Sequence, residues 1–109
     1  MLDPITDNLN RYMDVLSFRQ KLVAANIANA DTPDFKTKDI DFELELQTAG
    51  VRPGRIVEAA GLETKNDGNN VSLDREARLL AENALRFNMA SNLMKAQLRL
   101  VKAALQEGR

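Results

Sequence analysis

Four acids, Asp39, Asp41, Glu43 and Glu45, fall within seven positions, and paired carboxylates are the groups that most often carry acid–base work. Their alternation with Ile40, Phe42, Leu44 and Leu46 argues against chemistry. In an extended segment it puts Asp41, Glu43 and Glu45 on one solvated face, and the local sequence fixes no basic or nucleophilic partner beside them. The turn around Gly68 fails as a calcium loop. With Gly68 in the invariant sixth position, the third ligand would be Lys65 and the twelfth Asp74. No Gly-rich phosphate cradle occurs. The chain has no histidine and no cysteine, which removes Ser/His and Cys/His nucleophile pairs, thiolate or imidazole metal sites and disulfides. We expect no catalytic residue, no metal site and no cofactor.

Composition narrows the partners as well. Fifteen Lys/Arg against sixteen Asp/Glu leave a formal charge of −1, too balanced for the broad positive field of a nucleic-acid binder. Five aromatics and no Trp make a poor base-stacking platform. The amino-terminal MLDPITDNLNRYMDV carries acids early and lacks a basic stretch followed by an apolar run, so no cleaved secretion signal is expected. One cationic feature stands out: between Arg86 and Lys102, the bases Arg86, Lys95, Arg99 and Lys102 occur without an acid. A membrane-surface helix is one reading of that stripe, and a solvated or partner-facing stripe is the other.

The elements that must position these residues are two periodic ends around an irregular middle. Leu73, Ala77, Leu80, Ala84, Phe87, Ser91, Met94, Leu98, Val101 and Leu105 recur at alternating spacings of four and three. That heptad seam persists for about four and a half repeats, which predicts coiled-coil packing. Ser72 is placed to cap this helix, Asp74 and Glu76 fall in its first turn, and Gly108 lies where it could stop. A second set, Leu85, Met89, Leu93, Ala96, Leu100 and Ala103, follows the same rhythm displaced around the helix. One partner helix cannot cover both. Either the helix has a wide stripe facing a core, or one side meets its own chain and the other meets further copies.

The other helix is at the start. Leu2, Ile5, Leu9, Tyr12, Leu16 and Val23 keep seam spacing, interrupted by Arg19, while Val15, Phe18, Leu22 and Ala25 form an offset seam. Pro4 suits the first turn, Asp3 or Thr6 could cap, and Asn29, which can take a left-handed conformation, with Pro33 predicts a stop at Ala28 to Ala30. The chain thus reads as one mainly α domain in three parts: residues 1–30, an irregular segment 31–71, and a heptad helix over 72–109. In the middle part, residues 40–46 slightly favour a short strand over a helical turn or two. Gly50, Pro53, Gly54 and Gly61 punctuate the stretch that follows, and Asp67-Gly68-Asn69-Asn70 is a turn signal.

Leu22-Val23-Ala24-Ala25-Asn26-Ile27-Ala28-Asn29-Ala30-Asp31-Thr32-Pro33 resembles the amino-terminal signature of the bacterial flagellar axial proteins, the rod and hook subunits. Lys38-Asp39-Ile40-Asp41-Phe42, Asp67 to Glu76 and Leu80-Ala81-Glu82-Asn83 are similar to their proximal-rod members. Only about residues 47–64 lie outside the resemblance. One departure is Asp34-Phe35, where that family usually has Gly-Tyr. Either a positive φ is not needed at position 34, or Asp tolerates it.

The resemblance implies a non-enzymatic rod subunit in the periplasmic part of the flagellar basal body, exported by the flagellar type III apparatus without a cleaved signal. It implies terminal helices paired as a coiled coil in a helical assembly that transmits torque. Its partners would be further copies, other rod proteins, a FliE-type adaptor and the export gate. Asn26, Ile27, Asn29, Asp31, Thr32 and Pro33 carry the family motif. The competing expectation is a small helical adaptor that binds one partner helix.

Overall fold

The computed structural model describes residues 3–47 and 55–107. Leu2, Gly50, Pro53, Gly54 and Gly108, each given a role above, lie outside them. Two antiparallel helices form a shaft with a small head at one end, and the whole measures 68 × 25 × 18 Å. Helix α1 spans Pro4–Ala28 and begins as its sequence suggests. Asp3 is extended, its carboxylate accepts the Thr6 N–H at 3.0 Å and the Thr6 hydroxyl at 2.8 Å, and Pro4 fills the first turn. These bonds, the backbone one first, hold the Asp3 carboxyl below its ordinary value.

The exit from α1 falls within the expected stop, and Asn29 does not use the left-handed conformation open to it. Asn29 ends the helix with φ −104° and ψ 17°, so it is not left-handed. Its backbone N–H reaches back to Ala25 and Asn26, its Nδ2 donates to the Ala25 carbonyl at 2.8 Å, and its Oδ1 accepts from the Thr32 hydroxyl at 3.0 Å. With its carbonyls thus capped by the side chain, the helix ends without a φ inversion. The positive φ falls instead at Asp34, at 63°, the position where the resembled family has Gly.

The middle holds two short strands and a short helix. Strand β1, Lys38–Ile40, pairs antiparallel with β2, Ile56–Glu58, with Asp39 opposite Val57. The strand favoured over residues 40–46 stops at Ile40, and Phe42–Gln47 forms helix α2. Asp41 decides the switch: its side chain accepts the Leu44 N–H at 3.2 Å and its carbonyl accepts the Glu45 N–H at 3.0 Å, which caps a helical turn built on the i,i+4 apolar pairs. The single solvated acidic face is therefore absent. Asp39 and Glu45 are buried, and Glu45 accepts the Arg55 N–H at 3.3 Å.

Helix α3, Leu73–Glu107, runs 35 residues, about 52 Å, back along α1. Ser72 Oγ accepts the Arg75 N–H at 3.2 Å at its start. The core is small: Leu16, Leu22 and Val23 of α1, Ile40, Val71 and Ala90 are buried, each large side chain contributing about 1.5–3 kcal/mol. Phe42 closes the junction of shaft and head. Its ring packs edge-on to Tyr12 at 5.7 Å and lies under the guanidinium groups of Arg19 and Arg86, 5.8 and 5.9 Å from the centroid.

Candidate assembly interface

Along α3, the side that meets α1 is polar or small. Glu76, Asn83 and Ala90, spaced by sevens, are buried, and Leu79, Arg86, Met94, Gln97 and Val101 continue the line half-buried. Three hydrogen bonds cross this seam: Asn26 Nδ2 to Glu76 Oε1 at 2.8 Å, Asn83 Nδ2 to Gln20 Oε1 at 3.0 Å, and Gln97 Nε2 to Asp3 Oδ1 at 3.3 Å. The residue numbers of each pair sum to about 100, the mark of an antiparallel pairing with constant register.

The heptad residues are distributed unevenly between inside and outside. On α1, Leu16 and Val23 are buried, Leu9 and Tyr12 half-buried and Ile5 exposed. On α3, Met94 and Val101 are half-buried, whereas Leu73, Leu80, Phe87, Leu98 and Leu105 lie outside, Leu105 at 71% exposure. At about 100° per residue these five occupy a stripe about 40–100° around the helix from Asn83 and Ala90. The second apolar set lies on the opposite flank, with Leu85 62%, Leu93 58% and Leu100 66% exposed. A groove of about 520 Å³ runs along that flank between Leu9 and Tyr12 of α1 and Leu85, Met89 and Leu93 of α3. An apolar surface of this extent on so small a chain marks an interaction site.

The family motif sits where shaft meets head. Asn26, 1% exposed, binds the Lys38 backbone as a neighbouring strand would, its Nδ2 donating to the carbonyl at 2.8 Å and its Oδ1 accepting the N–H at 3.0 Å. The same Nδ2 reaches Glu76. Ile27, Asp31, Thr32 and Pro33 are exposed, so the surface of the bend is free for contact. Asn69, fully buried, ties the bend to the start of α3: its Nδ2 donates to the carbonyls of Asn29 and Thr32 at 2.9 and 2.8 Å, and its Oδ1 accepts the Val71 N–H at 2.8 Å. Asn70 Oδ1 accepts the Thr37 N–H at 2.6 Å. Gly68 has φ 85°, and a Cβ there would run into the Asp34 carboxylate.

An ion network that local spacing did not foretell joins the same region. Asp39 accepts Arg19 Nε and Nη2 at 2.9 and 2.8 Å and Arg75 Nη2 at 2.6 Å, while Arg75 Nη1 reaches Glu76 Oε2 at 2.6 Å. Burial opposes ionisation of Asp39, but the Arg19 bonds, the Ile40 N–H and Arg75 outweigh it and hold the carboxyl below its ordinary value. Arg75 is held above its own value: burial opposes the charge, and Glu76 and Asp39 more than offset that. The sequence signal was Arg19, a cation interrupting an apolar seam. This network secures structure and offers no nucleophile or open acid–base pair.

The geometry therefore presents a stiff helical shaft with two bare apolar flanks, a motif-bearing bend and no reactive centre among the described residues. Comparison with known proteins agrees with this picture. The family described as "Flagella basal body rod protein" matches residues 14–36, which hold the second half of α1 and the bend. The flagellar basal body rod protein FlgB of Borrelia hermsii is 34% identical over 115 residues, covering 80% of this chain and 84% of that protein. FlgB of Proteus mirabilis (strain HI4320) is 31% identical over 137 residues, covering 99% and 100%. FlgB of Salmonella typhimurium is likewise 31% identical over 137 residues, covering 99% of each. With both helices, the bend and the head inside those alignments, the chain belongs to the FlgB family of flagellar basal body rod proteins.

Proposed function

We propose that this structural rod subunit works in the proximal rod, where its paired terminal helices pack against other copies and other rod proteins in a helical drive shaft that transmits torque. The observation that carries this reading is the outward placement of Leu73, Leu80, Phe87, Leu98 and Leu105 on one flank of α3 and of Leu85, Met89, Leu93 and Leu100 on the other. Two separated flanks need more than one neighbour, which favours an assembly over an adaptor binding a single helix. Heterologous contacts of that kind build an open helix when the rotation does not close. Close-packed interiors deform little, so filling both flanks would supply stiffness.

In this reading the three parts of the chain have separate tasks. Residues 1–30 and 72–109 form the inner shaft, and residues 31–71 brace it and offer outer contacts. Asn26, Asn29 and Thr32 shape the bend, while Ile27, Asp31 and Pro33 meet a neighbour. The subunit reaches the periplasm through the flagellar export gate without a cleaved signal and lies next to a FliE-type adaptor. Packing geometry is its mechanism, with no reaction step. Cells carrying Leu98→Asp test this: the subunit should still be exported, while rods fail to assemble. Motile cells with normal basal bodies would overturn the assignment.

A further inference from the structure

The two edges of the small sheet in the head differ. The outer edge of β1 is closed by a side chain: Asn26 takes the Lys38 carbonyl and N–H, at 2.8 and 3.0 Å, where a third strand would otherwise bond. With those two groups turned away from β2, it is Asp39 that bonds across to Val57, and the Ala59 N–H, 2.9 Å from the Thr37 carbonyl, keeps the same alternation. On β2 the N–H and C=O of Ile56 and of Glu58 therefore point outward, away from β1. Among the described residues nothing bonds them. Residues 55–58 are all exposed, Ile56 at 50%. The register runs without a bulge and the strand holds no proline, so two devices that commonly blunt an edge are missing. Two donors and two acceptors on residues about 6.8 Å apart specify their cover more narrowly than an apolar patch does, because only an extended backbone matches them.

We propose that β2 is a docking edge for an extended segment of another protein, which joins the sheet as a third strand antiparallel to β2. The proposal goes beyond the packing of the shaft and does not depend on it. Main-chain bonds would supply the attachment and alternate side chains the selectivity, as in other strand additions. Ile56 and Glu58 share one face of the sheet and Val57 takes the other, so the incoming strand presents a base to Glu58, a β-branched residue to Val57 and an apolar residue to Ile56. Glu58 has no ion partner among the described residues: Lys38, opposite it in register, stands over the Phe35 ring, 5.0 Å from the centroid. A second copy of β2 is the poorer occupant, because antiparallel self-pairing sets Glu58 against Ile56 in both directions and leaves each carboxylate without a cation.

The probe is the acetylated and amidated peptide Thr-Lys-Val-Ile-Thr, whose Lys, Val and Ile would face Glu58, Val57 and Ile56. Titrated to millimolar concentration into the isotope-labelled full chain, it should shift the Ile56 and Glu58 amide resonances most. N-methylation at its Lys and Ile removes both donors that face β2 and should weaken binding at least about tenfold, whereas N-methylation at Val, whose N–H points away, should change it by less than about twofold. Glu58→Pro deletes an outward N–H and leaves the bonds to β1, so it should keep the parent's urea midpoint and lose peptide binding. Glu58→Lys should reverse the preference and favour Thr-Glu-Val-Ile-Thr. The proposal is overturned if no β2 amide shifts at that concentration, if the two methylated peptides bind alike, or if Glu58→Lys keeps the parent's preference. It is also overturned if the parent dimerises in sedimentation and Glu58→Pro abolishes the dimer, since a second copy is then the occupant. Should Glu58→Pro lower the midpoint, the methylated peptides still decide, because they leave the protein unchanged. Each of these results can go against the edge while Leu98→Asp still blocks rods, so the two readings fall separately.

Discussion

Asn83 donates its carboxamide Nδ2 to Gln20 Oε1 at 3.0 Å across the α1/α3 seam, and its own buried Oδ1 meets no hydrogen-bond donor among the described residues. A seam built for stability would carry leucine at such a position. Gln20→Leu alone should therefore destabilise the chain by about 1–3 kcal/mol, because both polar ends of Asn83 then lack partners. Gln20→Leu/Asn83→Leu should recover that loss or exceed the parent. Urea unfolding of the three proteins gives the comparison, and a double variant less stable than Gln20→Leu would contradict it.

Asn26 is more demanding, since one carboxamide serves both the Lys38 backbone and Glu76. Asn26→Ala should cost about 3 kcal/mol by removing the partner of Glu76 Oε1 and of two Lys38 backbone groups, although Arg75 still holds Glu76 Oε2. Asn26→Asp is nearly the same shape but sets a second carboxylate against Glu76, so at pH 7 it should be the worse of the two. Urea midpoints at neutral pH decide the order.

Acid should weaken the chain through Asp39. Its folded carboxyl titrates below the ordinary value, so its stabilisation is fully present above about pH 4 and is lost as pH falls through the lowered folded value. Asp39→Asn should cost about 2–4 kcal/mol at pH 7. It should also flatten the acid limb of the stability profile, leaving a smaller slope from groups such as Asp3. Arg75, raised from an already high value, stays charged across this range. An Asp39→Asn profile parallel to the parent's below pH 4 would refute the assignment.

At the bend, Asp34 with φ 63° and Gly68 with φ 85° lie against each other. Asp34→Gly should be neutral or stabilising by up to about 1 kcal/mol, and Asp34→Val should cost about 1–2 kcal/mol. Gly68→Ala meets both its own strained φ and the Asp34 carboxylate. Its cost should be smaller in the Asp34→Gly background, a coupling that a double-mutant cycle in urea would detect.

What the sequence discloses here follows the range of the interactions. The Asp3 and Ser72 caps, Pro4 and the end of α1 are local, and local patterns placed them. Helix α2 was harder, because Phe42 to Leu46 satisfies two periods at once and only the Asp41 cap breaks the tie. Asp39 meets Arg19 and Arg75 from 20 and 36 positions away, so no local spacing names either partner. The inward seam was hidden for a different reason. Hydrophobic periodicity selects the strongest apolar stripe, and in this chain that stripe faces out while Glu76, Asn83 and Ala90 face in.

The chain contains no cysteine, so a single introduced thiol reports on one position without background. Leu100→Cys and Leu105→Cys, one on each apolar flank, should react rapidly with a soluble maleimide in the isolated subunit and be strongly protected in purified basal bodies. Equal, rapid labelling of both positions in the assembled rod would mean that the flanks stay bare, and would contradict the account.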